Sequence, residues 1–359
     1  MSALHDFLAN IWFVLLGVVL ILYVVLDGFD LGVGILCLFA RDRERRGAML
    51  ATLAGVWDAN ETWLVLLAGA LFGAFPGAFT LLLQALAIPL LFMLFGLVLR
   101  IAALQLRAHR GLGWGAAFGV GSLVTALSQG FALGALLHGL DLSHGRYQGG
   151  PWAWLTPFSG LVALGLSAGY ALLGATYLLM KTRGEIHRRS ARRAQRAAWL
   201  MMAAATVVML WVPALDHPIA SKWFASSTAY LLIPLPVAAV LAFAMLLRAL
   251  HLGRQRSPFA WSLAIFVLSF LGLAMSLYPY VIPQSVTVDA AAASSKTLVF
   301  MLTGIGALMP FLLIYAAYQY PVLHARPERP NREDEPPADV PRHPEHGADT
   351  AARRAARRR

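Results

Sequence analysis

Long apolar runs separated by short polar segments dominate the sequence. A helix needs roughly 20 apolar residues to cross the ~30 Å hydrocarbon core of a bilayer. Backbone groups in lipid must also be hydrogen-bonded within their own segment, so each run predicts a transmembrane helix. The pattern predicts an all-α membrane protein of about nine helices, over residues 8–39, 50–71, 80–104, 116–140, 155–180, 197–213, 228–250, 259–281 and 298–320.

Basic residues alternate between the two sides of this predicted bundle. All but three of the 29 Lys and Arg residues lie in or beside the odd-numbered connections or in the C-terminal tail. The exceptions are Arg146, Lys222 and Lys296. Because cytoplasmic loops carry the excess of Lys and Arg, the C-terminus is predicted in the cytoplasm and the N-terminus outside. That arrangement requires an odd number of helices.

The chain is expected to form one membrane domain, 1–322, followed by a charged, Pro-rich cytoplasmic tail, 323–359. The tail lacks the apolar residues of a core and is predicted to be disordered. A Gly-rich span, an Arg-rich connection and a Trp-bearing span occur at 17–63 and again at 160–211. This repeat predicts two four-helix bundles with a peripheral ninth helix, although similar helix lengths and loop chemistry would produce the same pattern.

Composition narrows the class of protein. Hydrophobic residues make up 59% and charged residues 13% of the 359, and mean hydropathy is +0.65. The net charge of +11 does not indicate nucleic-acid binding, since there is no basic domain with interleaved aromatic residues. The single cysteine, Cys37, excludes an internal disulfide and an iron–sulfur cluster held by this chain alone.

Acidic residues within spans are the main candidates for chemistry, because each is costly in hydrocarbon. Asp27 and Asp30 lie in the first span, and Asp58 and Glu61 in the second. Each pair has i,i+3 spacing and occupies one helix face. Taking the second helix to begin near Met49, the two pairs meet at matching depth in the cytoplasmic half, where Arg100 of the third span supplies a counter-charge.

This acidic cluster has three interpretations. It conducts or stores protons from the cytoplasm, it holds three helices together through buried ion pairs, or it binds a cation. Burial favours the neutral carboxyl and Arg100 the charged one, so opposed effects can bring an acid near its working pH. Histidines, by contrast, lie in loops, near span ends or in the tails, and His138 lies near the outer end of its span. The chain is therefore predicted to ligate no haem and no metal.

Several motifs resemble subunit II of the cytochrome bd-type quinol oxidases. The first is Asp27-Gly28-Phe29-Asp30-Leu31-Gly32-Val33-Gly34, and the second is Trp57-Asp58-Ala59-Asn60-Glu61-Thr62-Trp63. Others are Gly69-Ala70-Leu71-Phe72, Gly174-Ala175-Thr176-Tyr177-Leu178, Tyr278-Pro279-Tyr280-Val281-Ile282-Pro283 and Asp289-Ala290-Ala291-Ala292. The likeness is collinear over about residues 8–322. Ala59 and Glu61 replace the Gly and Gln of many such subunits, which resembles the cyanide-insensitive branch.

The resemblance implies the non-haem-ligating subunit of a terminal oxidase in the bacterial cytoplasmic (inner) membrane, which couples quinol oxidation to reduction of oxygen to water. The implied partner is a larger subunit I that holds haem b and haem d; in this family a small single-helix accessory subunit is a further candidate. The reaction is electrogenic without pumping, and in some members a structural quinone sits in this subunit. Asp58, Asp30, Asp27 and Glu61 are then expected along a proton path, with Arg100, Trp57, Asn60 and Trp63 in support.

Two other classes of protein remain as alternatives. A proton-coupled membrane transporter would also carry acids within its spans, but broken helices in inverted halves would be expected. A purely structural membrane scaffold would use the same acids only for packing. Haem absorbance with oxygen consumption separates an oxidase from both.

Overall fold

The computed structural model describes residues 3–40, 42–53, 57–106, 113–143, 145–212, 230 and 232–324, and the side chains of all of these except 57–59 and 316–324. The α-helices in these ranges are α1 (Ala3–Leu38), α2 (Arg43–Ala51), α3 (Trp57–Ala74), α4 (Pro76–Ala85), α5 (Ala87–Gln105), α6 (Trp114–His138), α7 (Pro157–Lys181), α8 (Gly184–Trp211), α9 (Pro234–His251), α10 (Ser257–Leu277), α11 (Val288–Ala291), α12 (Ser295–Met301) and α13 (Ala307–His324). A short π-helical segment, Leu302–Gly306, joins α12 to α13. Most of the predicted tail lies outside the described residues.

Two small hairpins complete the described structure. Strand β1 (Leu142–Ser143) pairs antiparallel with β2 (Arg146–Tyr147) after α6. Strand β3 (Tyr280–Ile282) pairs antiparallel with β4 (Val286–Thr287) after α10. The eighth predicted run therefore ends as a helix at Leu277 rather than at 281. The chain is otherwise predominantly helical, as the apolar pattern predicted.

Eight helices in the described ranges are long and apolar enough to cross a membrane. They are α1, α5, α6, α7, α8, α9, α10 and the stretch Ser295–Tyr315. A shorter apolar helix, Asn60–Ala74, lies within α3 and corresponds to the second predicted span. The difference from the nine expected spans is thus located at α3.

The second predicted run, 50–71, is wrong in its start. Helix α2 ends at Ala51, and α3 begins only at Trp57. The Thr52 hydroxyl donates a hydrogen bond to the Met49 carbonyl at the end of α2, satisfying a group that the helix leaves open. The helix that corresponds to the second predicted run, α3, therefore begins seven residues after the predicted start at 50.

The third predicted run, 80–104, is interrupted. Helices α4 and α5 meet at Leu86, whose backbone leaves the helical region with φ −112° and ψ 15°. Pro89 explains the break, because a proline lacks an N–H and its ring clashes with the carbonyl four residues earlier, here that of Ala85. The apolar pattern alone did not distinguish this kinked pair from one helix.

Helix α8 begins at Gly184, far ahead of the start predicted at 197. The added part carries five arginines, at positions 188, 189, 192, 193 and 196. Arg, Ala and Gln have high helix propensity, so a polar stretch can continue an apolar helix beyond the membrane. The fifth connection is consequently much shorter than the charge pattern suggested.

Helix α1 packs against α3, α6 and α7 in the interior of the bundle. A methyl group added at Gly32 would collide with the backbone of Tyr170, and one added at Gly174 would collide with the backbone of Gly32. The small residues thus let α1 and α7 approach closely. One buried core joins residues of α1 and α6 to those of α7, α8, α9 and α10, so the two predicted bundles share a core.

Contacts at the two ends of the bundle show which connections between helices lie at the same end. At one end Arg45 of α2 lies 2.7 Å from Glu185 of α8, so the first and fifth connections meet. At the other end Trp12 of α1 donates a hydrogen bond to the Leu298 carbonyl, and the Ala293 amide donates one to the Ala74 carbonyl. The first and fifth connections therefore lie at the end of the bundle opposite the N-terminal part of α1.

Candidate functional site

Asp27 and Asp30 project from one face of α1 into the protein interior. Both side chains are fully buried. They lie about one helical turn apart, as their i,i+3 spacing predicted. Two carboxyls removed from solvent at this depth need either counter-charges or bound protons.

Arg100 of α5 supplies the nearest positive charge. Its Nη1 lies 2.9 Å from Asp27 Oδ1 and 3.6 Å from Glu61 Oε1 of α3. The guanidinium carbon also lies 5.5 Å from the centre of the Phe118 ring of α6, within cation–π range. The predicted contact of Arg100 with the acids of the first two spans is therefore present, and it joins four helices.

Asn60 connects the other acid to α3. Its Nδ2 donates to Asp30 Oδ2 at 2.8 Å and to the Leu26 carbonyl at 3.2 Å. Asn60 therefore fixes the start of α3 at the level of Asp30. We call the set Asp27, Asp30, Asn60, Glu61 and Arg100 the acid cluster.

The predicted partners Trp57 and Asp58 lie in the first turn of α3, and their side chains are outside the described part of the structure. The depth argument used for Asp58 was wrong in its premise, because α3 begins at Trp57 and not near Met49. The two acid-bearing segments nevertheless meet, since the following turn of α3 contacts Asp30. The role of Asp58 stays a prediction.

Trp63 lies outside the acid cluster. It is buried in a separate apolar group with Val19, Tyr23 and Met309. These contacts attach α3 to α1 and to α13. The structure thus gives Trp63 a packing environment, and its supporting role in the proton path stays a prediction.

Three residues beside the acid cluster were missed from the sequence. Tyr170 of α7 donates a hydrogen bond to Gln129 Oε1 of α6 at 2.6 Å, and Gln129 Nε2 donates to the hydroxyl of Tyr23 on α1, also at 2.6 Å. Tyr23 is buried on α1, about one helical turn from Asp27. Uncharged hydroxyl and amide groups on three separate helices carry no spacing signal, so only their proximity identifies them.

The charges of the acid cluster do not balance. Three carboxyls, those of Asp27, Asp30 and Glu61, face one guanidinium among the described side chains. No described residue accepts a hydrogen bond from Nε or Nη2 of Arg100 with good geometry, although the ionic contact with Asp27 is close. A buried site with excess negative charge favours binding of protons.

The acid cluster is least enclosed at Glu61. Its side chain is 17% exposed, whereas those of Asp27 and Arg100 are each 1% exposed. Glu61 therefore lies on the boundary between the buried ion pair and the surface of the bundle. Such a gradient of exposure suits a group that exchanges protons with its surroundings.

The four histidines whose side chains are described do not suit axial ligation of a haem. His138 ends α6 and packs on Phe158, and His187 interacts with the Leu179 carbonyl through Nδ1. His5 interacts with Ser295, and His251 ends α9. None of these four lies at the middle of a spanning helix. Within the described ranges, no group of three or more His, Cys, Asp or Glu side chains could hold a metal ion.

The apolar helices and the buried acid cluster define a polytopic membrane protein with an ionisable site inside its helical bundle. Residues 8–323 match the family of cytochrome bd terminal oxidase subunit II, and the chain belongs to that family. The match spans the same range of the sequence as the motifs.

Curated relatives agree with this assignment. The chain is 29% identical to cytochrome bd-I ubiquinol oxidase subunit 2 of Escherichia coli K12, covering 88% of this chain and 94% of the relative. It is 26% identical to cytochrome bd ubiquinol oxidase subunit 2 of Bacillus subtilis 168, covering 91% and 97%. A solved chain of the bd oxidase from Geobacillus thermodenitrificans shares the fold, with a TM-score of 0.67, 18% identity and coverage of 89% and 99%.

Proposed function

We propose that this chain, as the non-haem-ligating subunit of a terminal quinol oxidase, carries part of the path that brings protons to the site of oxygen reduction. That the chain is a subunit of a quinol oxidase complex follows from its family and its relatives. The path would run from the cytoplasm through the acid cluster, with Asp58 near its entry.

The charge imbalance in the acid cluster is the observation that carries this proposal. If all three described carboxyls were ionised beside Arg100, the buried site would hold an uncompensated negative charge, which costs several kcal/mol. Protonation of a carboxyl removes that cost. The cluster therefore keeps a proton that it can release and replace.

Two groups of polar contacts join α1 to α3, since Asn60 donates to Asp30, and Arg100 lies between Asp27 and Glu61. Beside them, Tyr23, Gln129 and Tyr170 form a hydrogen-bonded series from α1 through α6 to α7. Reduction of oxygen to water consumes protons, and the carboxyls would accept and pass them in turn.

The proposed topology has nine membrane crossings, with α3 as the second. Its 18 helical residues span about 27 Å at 1.5 Å per residue, close to the thickness of the hydrocarbon core. With the basic connections on the cytoplasmic side, nine crossings would put the N-terminus outside and the C-terminus in the cytoplasm. The membrane would be the bacterial cytoplasmic (inner) membrane.

The partner in the complex is subunit I, and the complex contains haem. We place haem b and haem d in subunit I, because the described histidines of this chain do not suit axial ligation. Quinol is the electron donor; the two named relatives are ubiquinol oxidase subunits. A structural quinone in this chain and a small single-helix accessory subunit remain additional proposals.

Substitution of the acids tests the proton path. Asp58→Asn and Asp27→Asn keep the shape of the side chain but remove the group that releases a proton. Quinol-driven oxygen uptake by the purified complex should fall at least about tenfold, because a positioned proton-transfer group typically contributes about a hundredfold or more. Asp141→Asn, at an exposed position after α6, is the matched control and should leave uptake unchanged.

Haem content distinguishes this proposal from a purely structural role. The ion pair between α1 and α5 and the hydrogen bond between α1 and α3 favour such a role as the second candidate. Full haem content with low turnover supports the proton path. Failure of the variants to assemble favours the structural role, and wild-type turnover in a fully assembled complex excludes both acids from an obligatory path.

A further inference from the structure

The polar beginning of α8 carries two sets of arginines with different environments. We call Arg188, Arg192 and Arg196 the outer row and Arg189 and Arg193 the inner pair. The outer row is exposed, and the inner pair is partly buried. The two sets lie on one helix but face different surroundings, so they serve different purposes.

The inner pair is used within the protein. Arg193 donates hydrogen bonds to the Leu36 and Phe39 carbonyls at the C-terminal end of α1. Arg189 donates to Glu185 Oε1, with the shorter distance 2.6 Å. A cation at a helix C-terminus complements the helix dipole, so Arg193 also stabilises α1 electrostatically.

The outer row forms one continuous stripe. At 100° per residue, positions 188, 192 and 196 lie within about 80° of one another around the helix, over a length of about 12 Å. Among the described residues, none of these three arginines has an acidic group within 4.0 Å, whereas the inner Arg189 is paired with Glu185. The stripe therefore presents three guanidinium groups along one edge of the bundle.

The stripe leads directly onto apolar surface. Trp199 lies about 20° from Arg188 around the helix, one turn beyond the outer row, and is 54% exposed. Its ring packs edge-to-face on Phe243 of α9, with the centroids 5.3 Å apart. Leu200 follows and is exposed as well. Tryptophan is enriched where a helix enters the membrane interface. The succession of arginines, Trp199 and apolar residues along α8 therefore indicates the level of the lipid headgroups.

Glu185 precedes the stripe by about one turn on α8, and its charge is already countered by other arginines. One carboxylate oxygen lies 2.7 Å from Arg45 and the other accepts the hydrogen bonds of Arg189. It is the only acidic residue in α8. The net positive charge of the stripe is thus left for a partner outside the described residues.

We propose that the outer row and Trp199 form a binding site for an anionic phospholipid. The guanidinium groups would bind the phosphate of the headgroup, for which their planar donors are suited. The acyl chains would lie against the apolar surface that begins at Trp199 and Leu200. The site lies on the side of the membrane that we propose to be cytoplasmic, and a lipid is the occupant because charged and apolar surface adjoin at one level.

Native mass spectrometry of the delipidated oxidase complex provides the test. The apparent Kd of the complex for phosphatidylglycerol is compared with those for phosphatidylcholine and for inorganic phosphate. The variant R188Q/R192Q/R196Q removes the outer row. The control R43Q/R254Q/R256Q removes three exposed arginines on the same side, so the two variants have equal net charge.

Each arginine near a lipid surface contributes about a factor of five in affinity. The outer-row variant should therefore bind phosphatidylglycerol at least about tenfold more weakly, while the control stays within about twofold of wild type and phosphatidylcholine binds weakly throughout. Equal weakening in both variants, unchanged binding in the outer-row variant, or equally tight binding of inorganic phosphate would overturn the proposal. An unchanged haem spectrum shows that each variant complex is folded.

Discussion

Arg100 is enclosed almost completely, with two carboxyl partners and one aromatic ring as its described neighbours. Such a cation changes the behaviour of the acids around it, because it stabilises their charged forms while burial opposes them. Its removal should act mainly through Asp27 and Glu61.

Arg100→Gln should move the pH dependence of oxygen uptake upward. Without the guanidinium, the carboxyls hold their protons more tightly, so a higher pH is needed to release them. Arg100→Lys should show a smaller shift, because lysine keeps the positive charge but lacks the planar guanidinium group. The measurement is oxygen uptake against pH for both variants with haem content determined in parallel. An unchanged profile at full haem content in Arg100→Gln would contradict this role.

Gln129 should contribute to stability through the two tyrosines that it joins. Gln129→Leu leaves the hydroxyl of Tyr170 without its acceptor and that of Tyr23 without its donor. A buried polar group left without a partner costs about 1–3 kcal/mol. The thermal midpoint of the purified complex should fall, whereas Gln195→Leu, at an exposed position on α8, should leave it unchanged. Equal midpoints for the two variants would show that this network contributes little.

Residues of the acid cluster differed in how well the sequence predicted them. Acids inside apolar runs are conspicuous because they are costly there, and Arg100 was predicted as their partner for the same reason. The exact pairing, Arg100 with Asp27 and Glu61 and Asn60 with Asp30, depends on the rotation of three helices about their axes. Tyr23, Gln129 and Tyr170 could not be predicted, because hydroxyl and amide groups within spans are common.

Among the helices, the contact between α1 and α7 is the most constrained. The backbones of these two helices approach so closely that Gly32 and Gly174 each occupy the space in which the other's side chain would lie. Because Asp27 and Asp30 belong to the same stretch of α1, this contact also positions the acid cluster. Packing at one pair of glycines therefore supports the geometry of the site.

Gly32→Ala should weaken assembly of the bundle. The added methyl collides with backbone atoms of Tyr170, and overpacking of this kind costs about 1–3 kcal/mol. Gly69→Ala in α3 is the control, since a methyl there meets no neighbouring atom within 4 Å and alanine favours a helix. We expect a lower thermal midpoint and a lower yield of complex for Gly32→Ala alone. A midpoint as high as that of the control would exclude close α1–α7 contact.

Helix bounds were predicted well where the apolar run and the helix coincide, as in α7, and poorly where they do not. Helix α8 extends into polar sequence because arginine and alanine are good helix formers. Helix α3 starts late in its apolar run. An apolar sequence can be buried without being helical, so the run does not fix the start of the helix. Pro89 signalled the break at Leu86, but the length of the apolar run concealed it.

At the scale of the whole molecule, the two ends of the helical bundle differ in their contacts. One end of the bundle holds the ion pairs of α2 and α8, and the other holds the contacts of α1 with the stretch around Leu298. The acid cluster lies between them, in the C-terminal half of α1, nearer the end of the bundle that holds the arginines of α2 and α8. A proton entering from that end would cross only part of the membrane within this chain before it passed toward subunit I.

Proton uptake during a single turnover tests this central claim most directly. Fully reduced oxidase is mixed with oxygen, and a pH-sensitive dye follows proton uptake from solution while haem absorbance follows the reduction of oxygen. Asp27→Asn should slow proton uptake at least about tenfold and delay the proton-coupled step of oxygen reduction equally. Proton uptake at the wild-type rate in an Asp27→Asn complex with full haem content would contradict a proton path through the acid cluster.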